Sequence, residues 1–423
     1  MKIVKILMIV ILFQTVLIGS SIIANEKTLE FKTEAQESIR WMEEYNGGLL
    51  LAGFSNAKGT NGGFDFVLKK TDLFGNIQWE KFYGSTNDER GYVVKQVPGG
   101  MIYGGAMLSA NYDDLRNTGG WDGLLLKLDS SGNILWKKNY GGSEGDSIRD
   151  VIHTNDNGFI FCGYTFSESY ENHHGGKDFW IVKTDHNGEI QWEKVLGGSQ
   201  YDMAYSVVQT RDNHYVVAGY SFSTNGDLSG MENHGNGDYW IIKLDYYGNI
   251  VWSKLYGGSG WEEVRQVIET RDRGFLLAGV ASSKNGDVKD SKGHWDAWLV
   301  KLDRNGDLEW EKTYGGSSYD KAFSVQQLSD RGFVVAGMTK SNDGDVENHY
   351  GDSDVWVFRT DKNGGLMWEH TIGGKESESA EKVLRLKDGR YAVAWGEFAG
   401  NESFAGDDGR RYDNFKVTLF FAN

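Results

Sequence analysis

Proline is nearly absent: Pro98 stands alone in 423 residues against 57 glycines. Turns must therefore be made by Gly and Asn, and Pro-rich linkers or collagen-like repeats are excluded. Cys162 is the sole cysteine, which rules out an intrachain disulfide, a cysteine-based zinc cluster and a CxxC redox pair. Positive charge is also short, with Lys+Arg at 44 against Asp+Glu at 60 and a net charge of −16. That balance argues against binding a phosphate backbone, so nucleic acid is not an expected partner. No window carries a sustained helical stripe. What is present is 39% hydrophobic and 13% aromatic residues, enough for a packed core and too much for wholesale disorder.

Residues 1–24 read as a secretory signal peptide. Lys2 and Lys5 precede the apolar run ILMIVILFQTVLI, and Gly19, Ser20, Ser21 and Ala24 are small residues suited to cleavage. The run is short for a membrane span, although an uncleaved anchor is the alternative reading. The mature chain is expected to be secreted, periplasmic or at the cell surface, with no transmembrane segment.

The remainder, residues 25–423, is one repeat. The segments IQWEKFYGS, ILWKKNYGGS, IQWEKVLGGS, IVWSKLYGGS, LEWEKTYGGS and LMWEHTIGGK place Trp79, Trp136, Trp192, Trp252, Trp310 and Trp368 at intervals of 56 to 60 residues. A second marker (LLLAG, FIFCG, YVVAG and relatives) occurs seven times, ending at Gly53, Gly105, Gly163, Gly219, Gly279, Gly337 and Trp395. A third, Asp-x-x-x-x-Lys/Arg, starts at Asp178, Asp238, Asp296 and Asp354, with weaker versions at Asp65, Asp122 and Asp413. Each period holds four short runs rich in Val, Ile, Phe, Tyr and Trp between Gly/Asn/Asp turns, the signature of strands. Four antiparallel strands per period predict an all-β, seven-bladed β-propeller. The seventh repeat ends without a fourth strand. Residues 28–33 are expected to supply it, with Phe31 in the tryptophan's place, so that the ring closes and two sheet edges disappear.

At the level of LDYYGNIVWSKLYGG, the repeat resembles the tryptophan-docking motif of quinoprotein dehydrogenase-like propellers. It is still more similar to the tandem propeller repeats of secreted and surface-attached bacterial proteins. The resemblance covers about residues 28 to 420 and implies a fold, not an activity. Quinoprotein enzymes typically have eight blades, a vicinal cysteine pair and a calcium at the cofactor, whereas Cys162 is alone here. No quinone cofactor such as PQQ is expected, and none of any other kind.

Periodic tryptophans are expected to pack between blades. Trp41, Trp121, Trp261, Trp295 and Trp395 stand outside that pattern and are the candidates for exposed contacts. Strand parity puts the tight Asp-x-Gly turns on one face and the second-to-third loops, 11 to 18 residues long, on the other. Binding is expected on the long-loop face, with Tyr201, Trp261, Tyr319, Trp121 and Trp295 as ligand-binding candidates. Asp227, Asp287 and Asp345, each followed by His234, His294 or His349, close local turns or, alternatively, hold calcium through oxygen or a transition metal through histidine. Asp202, Glu262 and Asp320 just precede the innermost strands. They are either locally hydrogen-bonded or a set of carboxylates at the channel mouth able to act as acid and base. The reading reached is a monomeric, non-catalytic propeller for a glycan or surface protein. A polysaccharide-acting enzyme and a structural envelope component are the alternatives.

Overall fold

Each sequence repeat forms one four-stranded antiparallel sheet, and seven sheets stand in a ring. The computed structural model describes residues 23–31, 36–57, 59–108, 111–112, 115–116, 119–398 and 414–422. Most of residues 1–24 and the marker at Asp413 lie outside the described residues. Blade three is typical. Its inner strand is Asp146–His153, followed by Phe159–Thr165, Asp178–Thr184 and the outer Ile190–Leu196. The two middle strands are buried along their whole length, because both of their faces meet a neighbouring blade. That is why they read as unbroken apolar runs.

The third-strand tryptophans fill the gaps between blades. Trp180, Trp240, Trp298 and Trp356 are fully buried, with Phe179 4.4 Å from Trp240 and Tyr239 4.6 Å from Trp298 between ring centroids. Burying ~150–250 Å² of aromatic surface at about 25 cal/mol per Å² contributes on the order of 4–6 kcal/mol each, as an upper bound. Each indole N–H is also satisfied: Trp180 donates to Glu193 (2.7 Å), Trp298 to Glu311 (2.8 Å) and Trp356 to Glu369 (2.9 Å).

The fourth-strand tryptophans do a different job. Trp192 lies against Gly248 in the turn of the next blade and donates to the Tyr246 carbonyl at 3.1 Å. At the other end of the outer strands, the Tyr83, Tyr140 and Tyr314 hydroxyls donate to Gly132, Gly188 and Gly364 carbonyls of the following blade at 2.7, 2.8 and 2.6 Å. The marker lysines reach the tight turns. Buried Lys183 meets Asp156 at 2.8 Å, and Lys243 meets Asp212 at 3.2 Å.

The ring closes through Ile23–Phe31, which pairs antiparallel with Asn414–Ala422. Two details of the expectation are corrected. The strand is already formed at Ile23, five residues before the expected start, and residues 32 and 33 lie outside the described residues. Phe31 pairs with Phe415, the partner position that Leu196 takes opposite Phe179 in blade three, while Lys27 stands in the register of the tryptophan. A slip of four residues keeps every side chain on its face, so alternation alone could not fix it. Asn414 occupies the place of the third-strand aspartate. Trp395 is also corrected: it is buried and donates to Thr418 at 2.8 Å. Across the closing junction Arg40 pairs with Glu381 at 3.0 Å.

Removing residues 1–31 is expected to bare the edge of Asn414–Ala422, lower the melting temperature by about 5 °C or more and produce concentration-dependent association in sedimentation. A chain beginning at Lys27 should melt close to the full chain. Equal melting of the two truncations would contradict closure by this strand.

Candidate functional site

Between blades the chain passes through a Gly-Gly-Ser linker gripped by two carboxylates. A Cβ on Gly197 would lie 2.2 Å from Asp178 Oδ1 and 2.8 Å from Asp202 Oδ2, so only glycine passes. The same pairing recurs as Asp65 with Glu89, Asp238 with Glu262, and Asp354 with Glu378. Asp202, Glu262 and Asp320 are thus fully buried at the blade junctions rather than ringing the channel. Asp202 accepts from the Gly198 amide and the Ser223 hydroxyl at 2.8 and 2.9 Å. Glu262 accepts from the Gly258 and Ser283 amides at 2.8 and 3.0 Å, and Asp320 from the Gly316 amide and the Ser341 hydroxyl at 2.8 and 2.7 Å. Burial is the main cause that raises the Asp178 carboxyl to about 7 and Asp202 to about 6, with the Asp202 charge adding to the shift at Asp178. Asp65 and Asp146 rise to about 6 and Glu378 to about 7, again chiefly by burial.

The long loops latch onto these linkers. Asp227, Asp287 and Asp345 accept from the amides of Gly197, Gly257 and Gly315 at 2.9, 3.1 and 3.1 Å. Asn225 and Asn285 accept from the next serine amides, both at 2.8 Å. His234 and His349 turn toward Asp238 and Asp354, at 3.2 and 3.5 Å, and His294 stacks on Tyr319 with centroids 5.4 Å apart. Among the described residues no group of three His, Cys, Asp or Glu side chains is spaced to hold a metal ion.

Three of the five aromatic candidates come together, and Tyr201 stands apart from them against Phe166. Trp261 and Trp295 meet edge to face at 5.2 Å, and Trp295 meets Tyr319 at 6.1 Å. Tyr201, 51% exposed, packs on Phe166 at 6.1 Å, and Tyr319 is 41% exposed. Two short parallel bridges, Gly237 to Trp261 and Trp295 to Tyr319, fix the rings at the point where long loop and linker meet. Trp121, in blade two, lies apart from this arc beneath the Arg90 guanidinium at 4.8 Å.

The channel itself is lined by residues that lie outside the three repeat markers. Every inner strand carries a β-bulge, and the extra residue belongs to no pair in the ladder: Arg40, Tyr92, Arg149, Tyr205, Arg265, Phe323 and Glu381. The second-marker glycines make room for the bulge, since a Cβ on Gly219 would lie 1.8 Å from the Met203 carbonyl oxygen. All seven side chains, with Trp41, border one cavity of about 110 Å³. The available signal was positional: each stands three residues after the junction acid or its equivalent. Ring contacts connect this cavity to the surface arc, Tyr205 to Tyr220 at 5.9 Å and Tyr220 to Trp261 at 6.3 Å.

No family model matches the chain. Over 211 residues it is 24% identical to the regulatory protein FlaEY of Caulobacter vibrioides, a match covering 46% of this chain and 22% of that protein. The chain therefore spans about a fifth of that relative's length. Among solved structures it is similar to a polysaccharide lyase of an ulvan lyase family, with TM-score 0.55, 9% identity and coverage of 93% and 96% of the two chains. It is likewise similar to the WD40 domain of Neurospora crassa Pan2, with TM-score 0.50, 11% identity and coverage of 90% and 89%. At such identities the likeness is one of fold: the chain is a seven-bladed β-propeller. No helix among the described residues is long and apolar enough to cross a membrane.

The junction acids give a pH signature. Their folded values lie above the ordinary carboxylate range, so the native chain holds protons that the unfolded chain releases between about pH 4 and 7. Their contribution is full below about pH 4 and falls as pH rises through 6 to 7. The melting temperature should be higher at pH 5 than at pH 8, and Asp178→Asn should narrow that difference. An unchanged slope in the variant would contradict the assignment.

Proposed function

We propose that this is an extracytoplasmic, non-catalytic propeller that binds a glycan across its long-loop face. The observation that carries the reading is the arc Trp261–Trp295–Tyr319, standing partly exposed where the loops are latched to the ring, with Tyr201 exposed at the preceding blade junction. Aromatic faces held at fixed angles suit the apolar faces of sugar rings, and a latched surface loses little entropy on binding. The placement of Asp202, Glu262 and Asp320 supports binding over turnover. Each is buried and accepts hydrogen bonds from linker amides or loop hydroxyls. The polysaccharide lyase and WD40 neighbours share the scaffold and so support only the capacity of this fold to present such a face.

Glycan-array screening followed by calorimetry on the hit tests this. Trp261→Ala and Tyr201→Ala should each weaken binding at least tenfold while melting within about 2 °C of the parent. Undiminished binding would remove the arc from the site. Shortening of the bound oligosaccharide on incubation would overturn the non-catalytic part.

A further inference from the structure

Two further cavities, each of about 210 Å³, lie between blades four and five and between blades five and six. Turn residues border both, which places them on the tight-turn face. They are built alike, one repeat apart: Phe275 and Asn305 border the first where Phe333 and Asn363 border the second.

The carboxylates at both cavities are already committed. Asp212 pairs with Lys243 at 3.2 Å, while Glu269 lies 3.8 Å from the Arg211 side chain and accepts from its amide at 3.2 Å. Lys301 holds Asp272 at 3.2 Å and Glu309 at 2.8 Å. Four cations remain, Arg273 and Arg304 at the first cavity and Arg331 and Lys362 at the second. Among the described residues, no hydrogen bond, ion pair or ring contact engages any of these four head groups. At the preceding junction the position of Arg304 and Lys362 belongs to Tyr246, whose hydroxyl donates to Asp156 at 3.0 Å.

Two of the four also sit on backbone that disfavours them. Arg273 and Arg331 have φ of 69° and 74°, in the left-handed region. Blades three and four put Asn157 and Asn213 at the same turn position, with φ of 65° and 60°. Asparagine tolerates that conformation because its short amide bonds locally, and arginine has no such compensation. A long cation kept where asparagine fits better, bordering a cavity and without an intramolecular partner, has the character of a ligand-facing group.

We infer that the twin cavities are a second binding site, opposite the long-loop face, for an acidic polysaccharide whose carboxylate or sulfate groups meet Arg273 with Arg304 and Arg331 with Lys362. Matching cavities one repeat apart suit a polymer whose charged group recurs. Arginine offers a planar fork to either anion, and the Asn305 and Asn363 amides stand beside them for sugar hydroxyls. Two uncommitted cations per cavity are sparse for a nucleic-acid duplex, which carries one charge per about 1.7 Å. Phe275 and Phe333 are buried, so neither offers a free face to a base. The choice of a sugar polymer rests on the extracytoplasmic placement proposed above; the site does not depend on the aromatic arc.

Calorimetry on the full chain should pair oligogalacturonate with its methyl ester, and a sulfated galactan oligosaccharide with its desulfated form. At least one acidic member should bind tenfold or more tightly than its counterpart, and weaken as salt is raised. The two pairs separate carboxylate from sulfate. The double substitution Arg273→Asn, Arg331→Asn should cut that affinity at least tenfold while the melting temperature holds or rises, because asparagine relieves the turn. Should that variant fold poorly, Arg304→Gln with Lys362→Gln makes the same test. Affinity retained in the folded variant would overturn the site, as would equal binding of acidic and neutral members or no binding of either acidic one. Tighter binding of oligothymidylate or polyglutamate than of both acidic sugars would overturn the polysaccharide assignment. A neutral glycan that the array finds for the arc should not displace the acidic probe, and displacement would overturn a separate site. Failure of the arc, with the acidic preference and its loss in the variant intact, would leave the twin cavities standing.

Discussion

Five blade junctions, at Gly84, Gly141, Gly197, Gly257 and Gly373, depend on one arrangement: a glycine threaded between two buried carboxylates. Gly197 between Asp178 and Asp202 sets how closely one sheet follows the next. The same linker is where Asp227 and Asn225 anchor the long loop, so blade spacing and loop position are fixed by one set of bonds. Two carboxylates brought this close would repel if both were ionised. Raised proton affinity at Asp178 and Asp202 resolves this, because one proton per pair is enough to remove the repulsion. Conformational precision here is obtained at some cost in stability near neutral pH.

The outer rim is held by a different means. Trp192 against Gly248 and Tyr140 on the Gly188 carbonyl tie each outer strand to a turn of the following blade. Inner junctions are polar and pH-responsive, whereas the rim is aromatic and indifferent to pH. The ring is thus held at two radii by unlike chemistry.

Much of this was legible in the sequence because it repeats. The periodic tryptophans, the Asp-x-x-x-x-Lys marker and the tight turns all recur at a fixed offset, and each proved to have one structural task. Where the reading failed, physics allowed two answers. Phe31 could slide four residues without changing face, and only the pairing with Phe415 decides the register. Trp395 stands where other blades have glycine, so its departure from the pattern suggested exposure when it marks a local repacking. The channel residues were missed for the opposite reason. Arg40, Tyr92, Arg149, Tyr205, Arg265, Phe323 and Glu381 share a position but not a residue type, and a search for similarity passes over such a column. Variation within a strictly kept frame is what a site assembled from all seven blades would leave behind.

The pairing of Ile23 with Ala422 has a topological consequence. The covalent gap lies inside a sheet, flanked by strands that are already hydrogen-bonded, rather than between two blades. The seven junctions are therefore all spanned by continuous polypeptide, and the circle can be opened only by stripping a strand lengthwise from its neighbour. A peptide link from Ala422 back to Ile23, with a new opening at an exposed turn such as Asp303–Asp307, would move the seam to another blade and leave the toroid's geometry as it is.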